Sequence, residues 1–347
     1  MTTANPTSCP PSFADLQRAV SAAGLLDYRY GYYLAKLATN SLMTAAGWIS
    51  FALLGDSWWQ LIVAAYLGFA NVQIWLVVHD AGHAQIARNR KINNMLGYIH
   101  ADLILGISAG WWVGYHNQHH GHPNHLSLDP GIRSRPMISD PRQTDGSTKL
   151  IRRFIIRHQA VLFFPLYLLD LVGLRVVTVR SLLGRAVRHM VAEASLILMH
   201  LVAFAAGTLL VLSPLRALLF IVVQHAFFGL YIGAIFGPNH RGMPVRHGEE
   251  PDWVHRQVTA ARNVRPNRLI DFLFGGLNYQ IEHHLFPTMP RPNLPRAQRL
   301  VREFCGLNQI SYHQVPLVRA YREVVQHLAA VSRAWRMDQR TWRGTGS

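Results

Sequence analysis

The chain is predicted to be an all-α integral-membrane protein, with four transmembrane helices in two hairpins, a cytosolic helical cap and interfacial helices. Three observations predict this. Half of the 347 residues are apolar and gather in long blocks, and a spanning helix needs about 20 such residues in a row. The 34 Lys and Arg outnumber the 18 Asp and Glu, and the arginines collect between the blocks, as the positive-inside bias of cytosolic loops demands. The histidines include three short boxes placed beside block ends. Length alone would allow two soluble domains, but the blocks favour one polytopic domain. The expected division is a cytosolic N-terminal segment with an amphipathic helix (1–32), a membrane domain holding the boxes (33–290), and cytosolic C-terminal helices with a tail (291–347).

Composition also excludes some classes. A net charge of +16 would suit a nucleic-acid partner, but no aromatic-interleaved basic patch accompanies it, so none is expected. Cys9 and Cys305 lie far apart in different contexts, too few for a disulfide framework or a thiolate metal site. The first thirty residues lack the charged start and apolar core of a signal peptide. This and the loop charges predict that both termini and every histidine box face the cytosol, in a bacterial plasma membrane.

Along the chain, Ser12 with Asp15 forms a helix-starting pair and Gly24 a stop, predicting a short helix lying on the membrane. Tyr28, Tyr30, Tyr32 and Tyr33 suit an interface belt. Spans are predicted from Tyr33 to Leu54 and from Trp58 to Val78, turning at Gly55-Asp56-Ser57. Residues 96 to 112 are apolar but hold His100 and Asp102, so a buried, non-crossing segment is expected. A polar loop follows from Ser127 to Lys149. Between Arg157 and Arg180, arginines at both ends favour an in-plane helix. Val191 to Leu212 and Leu215 to Phe236 form the second hairpin, turning at Ser213-Pro214. From Gly237 the chain reads as soluble, with an acidic turn at Glu249-Glu250 and one or two amphipathic helices from Pro295 to Arg340.

The boxes carry the chemistry. His116, His119 and His120 lie three and four residues apart, which places three imidazoles on one helix face. His79 and His83 share that spacing, and Gln280, His283 and His284 repeat it with glutamine in first place. With His240, eight imidazoles can converge, too many for one tetrahedral zinc and enough for two metals of higher coordination. Two Fe ions are expected, since imidazole suits iron and an oxygen-accessible site at the inner end of an apolar bundle could oxidise an unactivated C–H bond of a lipid. A lone histidine in an apolar helix, such as His200 or His225, is expected to be a hydrogen-bonded core residue.

HDAGH at 79–83, HNQHH followed by GHPN at 116–124, and NYQIEHHLFP at 278–287 resemble the three histidine boxes of the membrane fatty acid desaturase family, and the hairpins fall in matching places. The resemblance spans about 79–290. It implies an all-histidine diiron centre that inserts a double bond into a fatty acyl chain, carried as acyl-lipid or acyl-CoA, using O2 and two external electrons. By position it implies His79, His83, His116, His119, His120, His240, His283 and His284 as ligands, with Asn239 able to hold a metal-bound water. Gln280 stands where many members have histidine. The QIEHH form is similar to the front-end subgroup, which desaturates between an existing double bond and the carboxyl end. There Gln280 would ligate weakly or orient a neighbour. The HPGG mark of a fused cytochrome b5 is absent, so a ferredoxin or a free cytochrome b5 is the expected electron donor.

Asp80 is read as a partner orienting His79 or His83, or else as a helix-end carboxylate facing water. Trp111, Trp112 and Tyr115 read more readily as interface anchors than as channel walls. Arg291, Arg296 and Arg299 are expected on a solvated basic face, and His122 and His125 outside the ligand set. Two competing functions share the histidines. One is a lipid hydroxylase; the other is a non-redox membrane metal carrier, which only His200 and His225 favour.

Overall fold

The computed structural model describes residues 10–133, 136–143, 149–248 and 252–344. Cys9 and the Glu249-Glu250 turn lie outside the described residues. The protein is mostly helical. Four helices are long and apolar enough to cross a membrane: α2 (Tyr30–Leu54), α3 (Gln60–Gly82), α9 (Met190–Val211) and α10 (Pro214–His240). Their 25, 23, 22 and 27 residues exceed the roughly 20 that a bilayer core requires. The turn between α2 and α3 meets that between α9 and α10. There Asp56 accepts from the Ser213 N–H at 2.9 Å and pairs with Arg216 at 2.5 Å.

Between the hairpins lie α4 (Arg90–Gly97), a π-helical stretch (Tyr98–Leu105), α5 (Ala109–Gly121) and α6 (Pro130–Arg133). The backbone breaks at Gly106, φ 67°, so this part does not form a helix of spanning length. Next come α7 (Leu150–Tyr167) and α8 (Asp170–Leu183), bent by 84° to one another. The sequence predicts one in-plane helix here; two helices stand at a sharp angle instead, and they qualify together as a broken span or a re-entrant pair.

The core forms where α3 and α10 pack together, with Trp75, Phe228 and Trp112 of α5 buried in it. Close approach dictates one residue type. A Cβ on Gly233 of α10 would lie 2.1 Å from the Tyr167 ring, so glycine alone lets α7 lie against this helix.

Helix α10 corrects the expected end at Phe236, since it runs through Pro238 to His240. A helical proline leaves the carbonyl four residues back without its N–H. Here the Tyr321 hydroxyl donates to the Ala234 carbonyl at 2.8 Å, which lets the helix continue.

The remaining chain forms a cap: α11 (Trp253–Thr259), α12 (Arg268–Phe274), α13 (Gln280–Leu285), α14 (Leu294–Leu307) and α15 (Leu317–Gly344). Strands β1 (Asn263–Val264) and β2 (Gln314–Val315) pair in parallel, a small departure from the all-α expectation. Helix α1 (Phe13–Ala22) has the anticipated Ser12–Asp15 capping box. Its apolar face does not lie on a membrane, however; Leu16 and Val20 are buried against Val301 and Phe304 of α14. Cys305 is a free, buried thiol.

Overpacking a filled core costs about 1–3 kcal/mol. Gly233→Val is therefore expected to lower the melting temperature of the detergent-solubilised protein clearly. Gly207→Ala, whose added methyl meets nothing within 4 Å, should leave it unchanged or slightly higher.

Candidate metal centre

The helix ends bring all eight predicted histidines to one place. His79 sits in the last turn of α3 with His83 at its C-cap, their rings 4.9 Å apart. Helix α5 supplies His116, His119 and His120. Its start is fixed by Ser108, whose hydroxyl accepts from the Trp111 N–H at 3.1 Å, and by Asp102, which accepts from the Ala109 N–H at 2.7 Å. His240 ends α10. His283 and His284 lie on α13, a six-residue helix too short to be stable alone. It is held from outside: Asn263 accepts from the Ile281 N–H at 2.9 Å, and the Glu282 carboxylate accepts from Asn263 and from the Tyr312 hydroxyl, both at 2.7 Å.

The donors form two groups. Nitrogens of His79, His83, His116 and His283 lie within 4.8 Å of one another, as do those of His119, His240 and His284. The His120 ring stands between them, 4.6 Å from His116, 4.7 Å from His283 and 4.2 Å from His284.

The hydrogen bonds set the tautomers. Oxygen faces the Nδ1 of His119 (Asp129, 3.0 Å), His240 (the Ala260 carbonyl, 2.9 Å), His284 (Gln257, 2.9 Å) and His79 (Asp80, 3.3 Å). An oxygen acceptor there requires Nδ1–H, which leaves the lone pair on Nε2. Yet the Nε2 of His240 lies 3.3 Å from that of His119 and 3.0 Å from that of His284. Three lone pairs thus converge with only the Gln280 amide, 2.9 Å from His240 Nε2, to offer a proton among them, an arrangement that a cation relieves. In the other group, Nε2 of His79 and of His83 is buried with no hydrogen-bond partner. Burial, reinforced by neighbouring imidazoles, holds His83, His116, His120, His283 and His284 well below the usual histidine pKa, so they are neutral donors at pH 7. The residues present therefore fit a metal site.

Gln280 and Asn239 face the second group. Asn239 Nδ2 donates to the Leu277 carbonyl at 3.0 Å and to Gln280 Oε1 at 2.9 Å, so the Gln280 amide nitrogen is turned to His240 Nε2, 2.9 Å away. Asp80 is buried rather than facing water. Arg296 and Arg299 are exposed, but Arg291 is buried, contrary to the solvated face expected of it, and it ion-pairs with Asp80. His122 and His125 stay outside both groups. So do His200 and His225; His200 faces Arg175 instead, at 3.1 Å.

Asp129 and Gln257 were not legible as site residues. No box contains them, and only the fold brings the 129 loop and α11 to the imidazoles. Burial alone would raise the Asp129 carboxyl. His119 beside it and the N–H groups of Asn124 and Gly131 outweigh burial and hold it below the usual carboxylate value.

A cavity of about 320 Å³ opens beside His116, His119 and His240, within the roughly 300–1,000 Å³ usual for ligand pockets. Its walls are largely apolar and include Trp111, Trp112, Tyr115, Ile232 and Phe236. The three aromatics expected at a membrane interface thus line this space.

Apolar helices of spanning length, a buried cluster with an all-histidine donor set and an apolar cavity against it define a class: membrane proteins with a buried histidine cluster that could hold metal. Within that class the chain belongs to the fatty acid desaturase family, whose sequence model matches residues 56–316. It is similar to fatty acid desaturase 3 of Bos taurus, 30% identical over 93% of this chain and 73% of the relative, and to that of Homo sapiens, with the same identity and coverage. It is also similar to an acyl-lipid (9-3)-desaturase of Physcomitrium patens, 30% identical over 87% of this chain and 59% of that protein. The chain is therefore an oxidoreductase of lipid metabolism and a membrane protein. These relatives are eukaryotic and lend no support to a bacterial membrane.

Removing the partner that orients a metal-bound histidine typically costs about 10–100-fold in metal affinity or activity. Asp129→Ala, which frees the His119 ring, is expected to weaken metal binding by that order in an equilibrium titration. Wild-type affinity would show that Asp129 does not orient a ligand.

Proposed function

We propose that the protein is a front-end fatty acyl desaturase. It would place a double bond between an existing one and the carboxyl end of an acyl chain carried as acyl-lipid or acyl-CoA. The convergence of unprotonated imidazole nitrogens beside an apolar cavity is the observation that carries the reading. The acyl-lipid name of the moss relative supports a lipid-borne chain, and the QIEHH form at 280–284 supports the front-end assignment. Two Fe ions would be held by His79, His83, His116 and His283 on one side and by His119, His240 and His284 on the other, with His120 between them. When bound, they supply the means of using O2 to remove hydrogen from an unactivated C–H bond.

The overall change is R–CH2–CH2–R′ + O2 + 2 electrons + 2 H⁺ → R–CH=CH–R′ + 2 H2O. An external donor of ferredoxin or cytochrome b5 type supplies the electrons. The residues of this chain do the rest. Trp111, Trp112 and Phe236 bury the acyl chain and exclude water. His116 and His119 hold the reacting end of the cavity. The Ala260 carbonyl orients His240 through Nδ1, and Gln280, whose oxygen accepts from Asn239, would yield its contact with His240 Nε2 to the metal. Cytosolic placement of the site is supported by exposed Arg88, Arg90 and Lys91 at this end, whereas the outer turns hold Asp56 and Arg216 paired to each other. Among the described residues His200 and His225 join neither group, so nothing here favours a metal carrier.

Expression in a host lacking such double bonds, with lipid mass spectrometry, tests the activity. The expected product has lost two hydrogens, and His119→Ala at equal expression forms none. Gain of one oxygen would make the protein a hydroxylase instead. Gly173 lines the cavity with open space around its Cβ. Gly173→Leu should thus lower conversion of long acyl chains more than short ones at unchanged iron content, read from the product profile.

A further inference from the structure

The strongest group outside the histidine set is a buried guanidinium. Arg291 follows the third box and is 5% exposed, its ion-pair partner Asp80 2%. Arg291 Nη2 lies 2.6 Å from Asp80 Oδ2 and donates to the Leu76 carbonyl in α3 at 2.5 Å. The Arg291 backbone N–H donates to the Tyr33 hydroxyl at 3.4 Å. The turn leading into the third box is shaped around this side chain. At Gly275, φ 56°, an added Cβ would lie 2.7 Å from Leu76 and 2.8 Å from Arg291 Nη1, so glycine is required there by both conformation and space. Asp80 uses its other oxygen on His79 Nδ1.

We propose that Arg291 is a positioning residue for the metal centre: its guanidinium holds the Asp80 carboxylate against His79 and ties the first box to the turn before the third. This rests on His79 being a metal ligand. A buried charge that loses its partner is costly, so without Arg291 the carboxylate would turn toward other donors and the His79 ring would lose its anchor. The ion pair thus acts on one histidine group and leaves the one containing His284 untouched.

The test is iron release from the purified, iron-loaded protein to a colorimetric Fe(II) chelator. Wild-type protein holding no iron would overturn the function proposed above and this inference with it, whereas the outcomes that follow bear on this inference alone. With iron present, Arg291→Gln is expected to speed one release phase by about 10–100-fold and leave the other unchanged. Asp80→Asn should do the same, and the double variant should be no faster than Asp80→Asn alone, since both act through one contact. Arg291→Lys, which keeps the charge, should fall between wild type and Arg291→Gln. Equal acceleration of both phases, or rates multiplying in the double variant, would mean a general structural role and overturn the proposal. So would wild-type release from Arg291→Gln or, should that variant not fold, from Arg291→Lys.

Discussion

The structure depends on one electrostatic constraint, the desolvation of eight imidazoles at the end of a helical bundle. Burial keeps five of them neutral, and neutral rings crowded together must each find a donor and an acceptor. Oxygen atoms at Nδ1 settle the donor side of four of the eight rings. The Nε2 atoms of three of these, His119, His240 and His284, point inward, where lone pairs face lone pairs. A cation is the natural occupant of such a space, and the surrounding carboxylates, amides and carbonyls fix how each ring meets it.

The bundle serves that constraint through its overlong helices. Helix α3 carries His79 into its last turn, and α10 reaches His240 because Tyr321, 87 positions from Ala234, replaces the hydrogen bond that Pro238 removes. Gly233 brings α7 close enough for Tyr167 to line the cavity. The cap closes the opposite side, with Glu282 locking α13 to β1 through Asn263. Packing and chemistry thus meet in the same residues.

Much of this was legible in the sequence because the signals are local. Apolar runs marked the four long helices to within a few residues, and three-and-four spacing marked the boxes. What was not legible depends on partners far along the chain. The end of α10 was misplaced because nothing near Pro238 announces Tyr321. Arg291 read as a surface charge because its partner, Asp80, lies in another box, and Asp129 and Gln257 carry no motif at all. The apolar face of α1 was assigned to a membrane because an amphipathic pattern does not say whether lipid or protein will cover it; α14 does.

The most direct measurement is the metal content of the purified chain by elemental analysis, for wild type and for one variant in each histidine group. With one ion held by each group, wild type should contain two irons per chain, and His83→Ala and His284→Ala should each retain about one. Zinc in place of iron, or a single ion in the wild type, would contradict a two-iron centre at this end of the bundle.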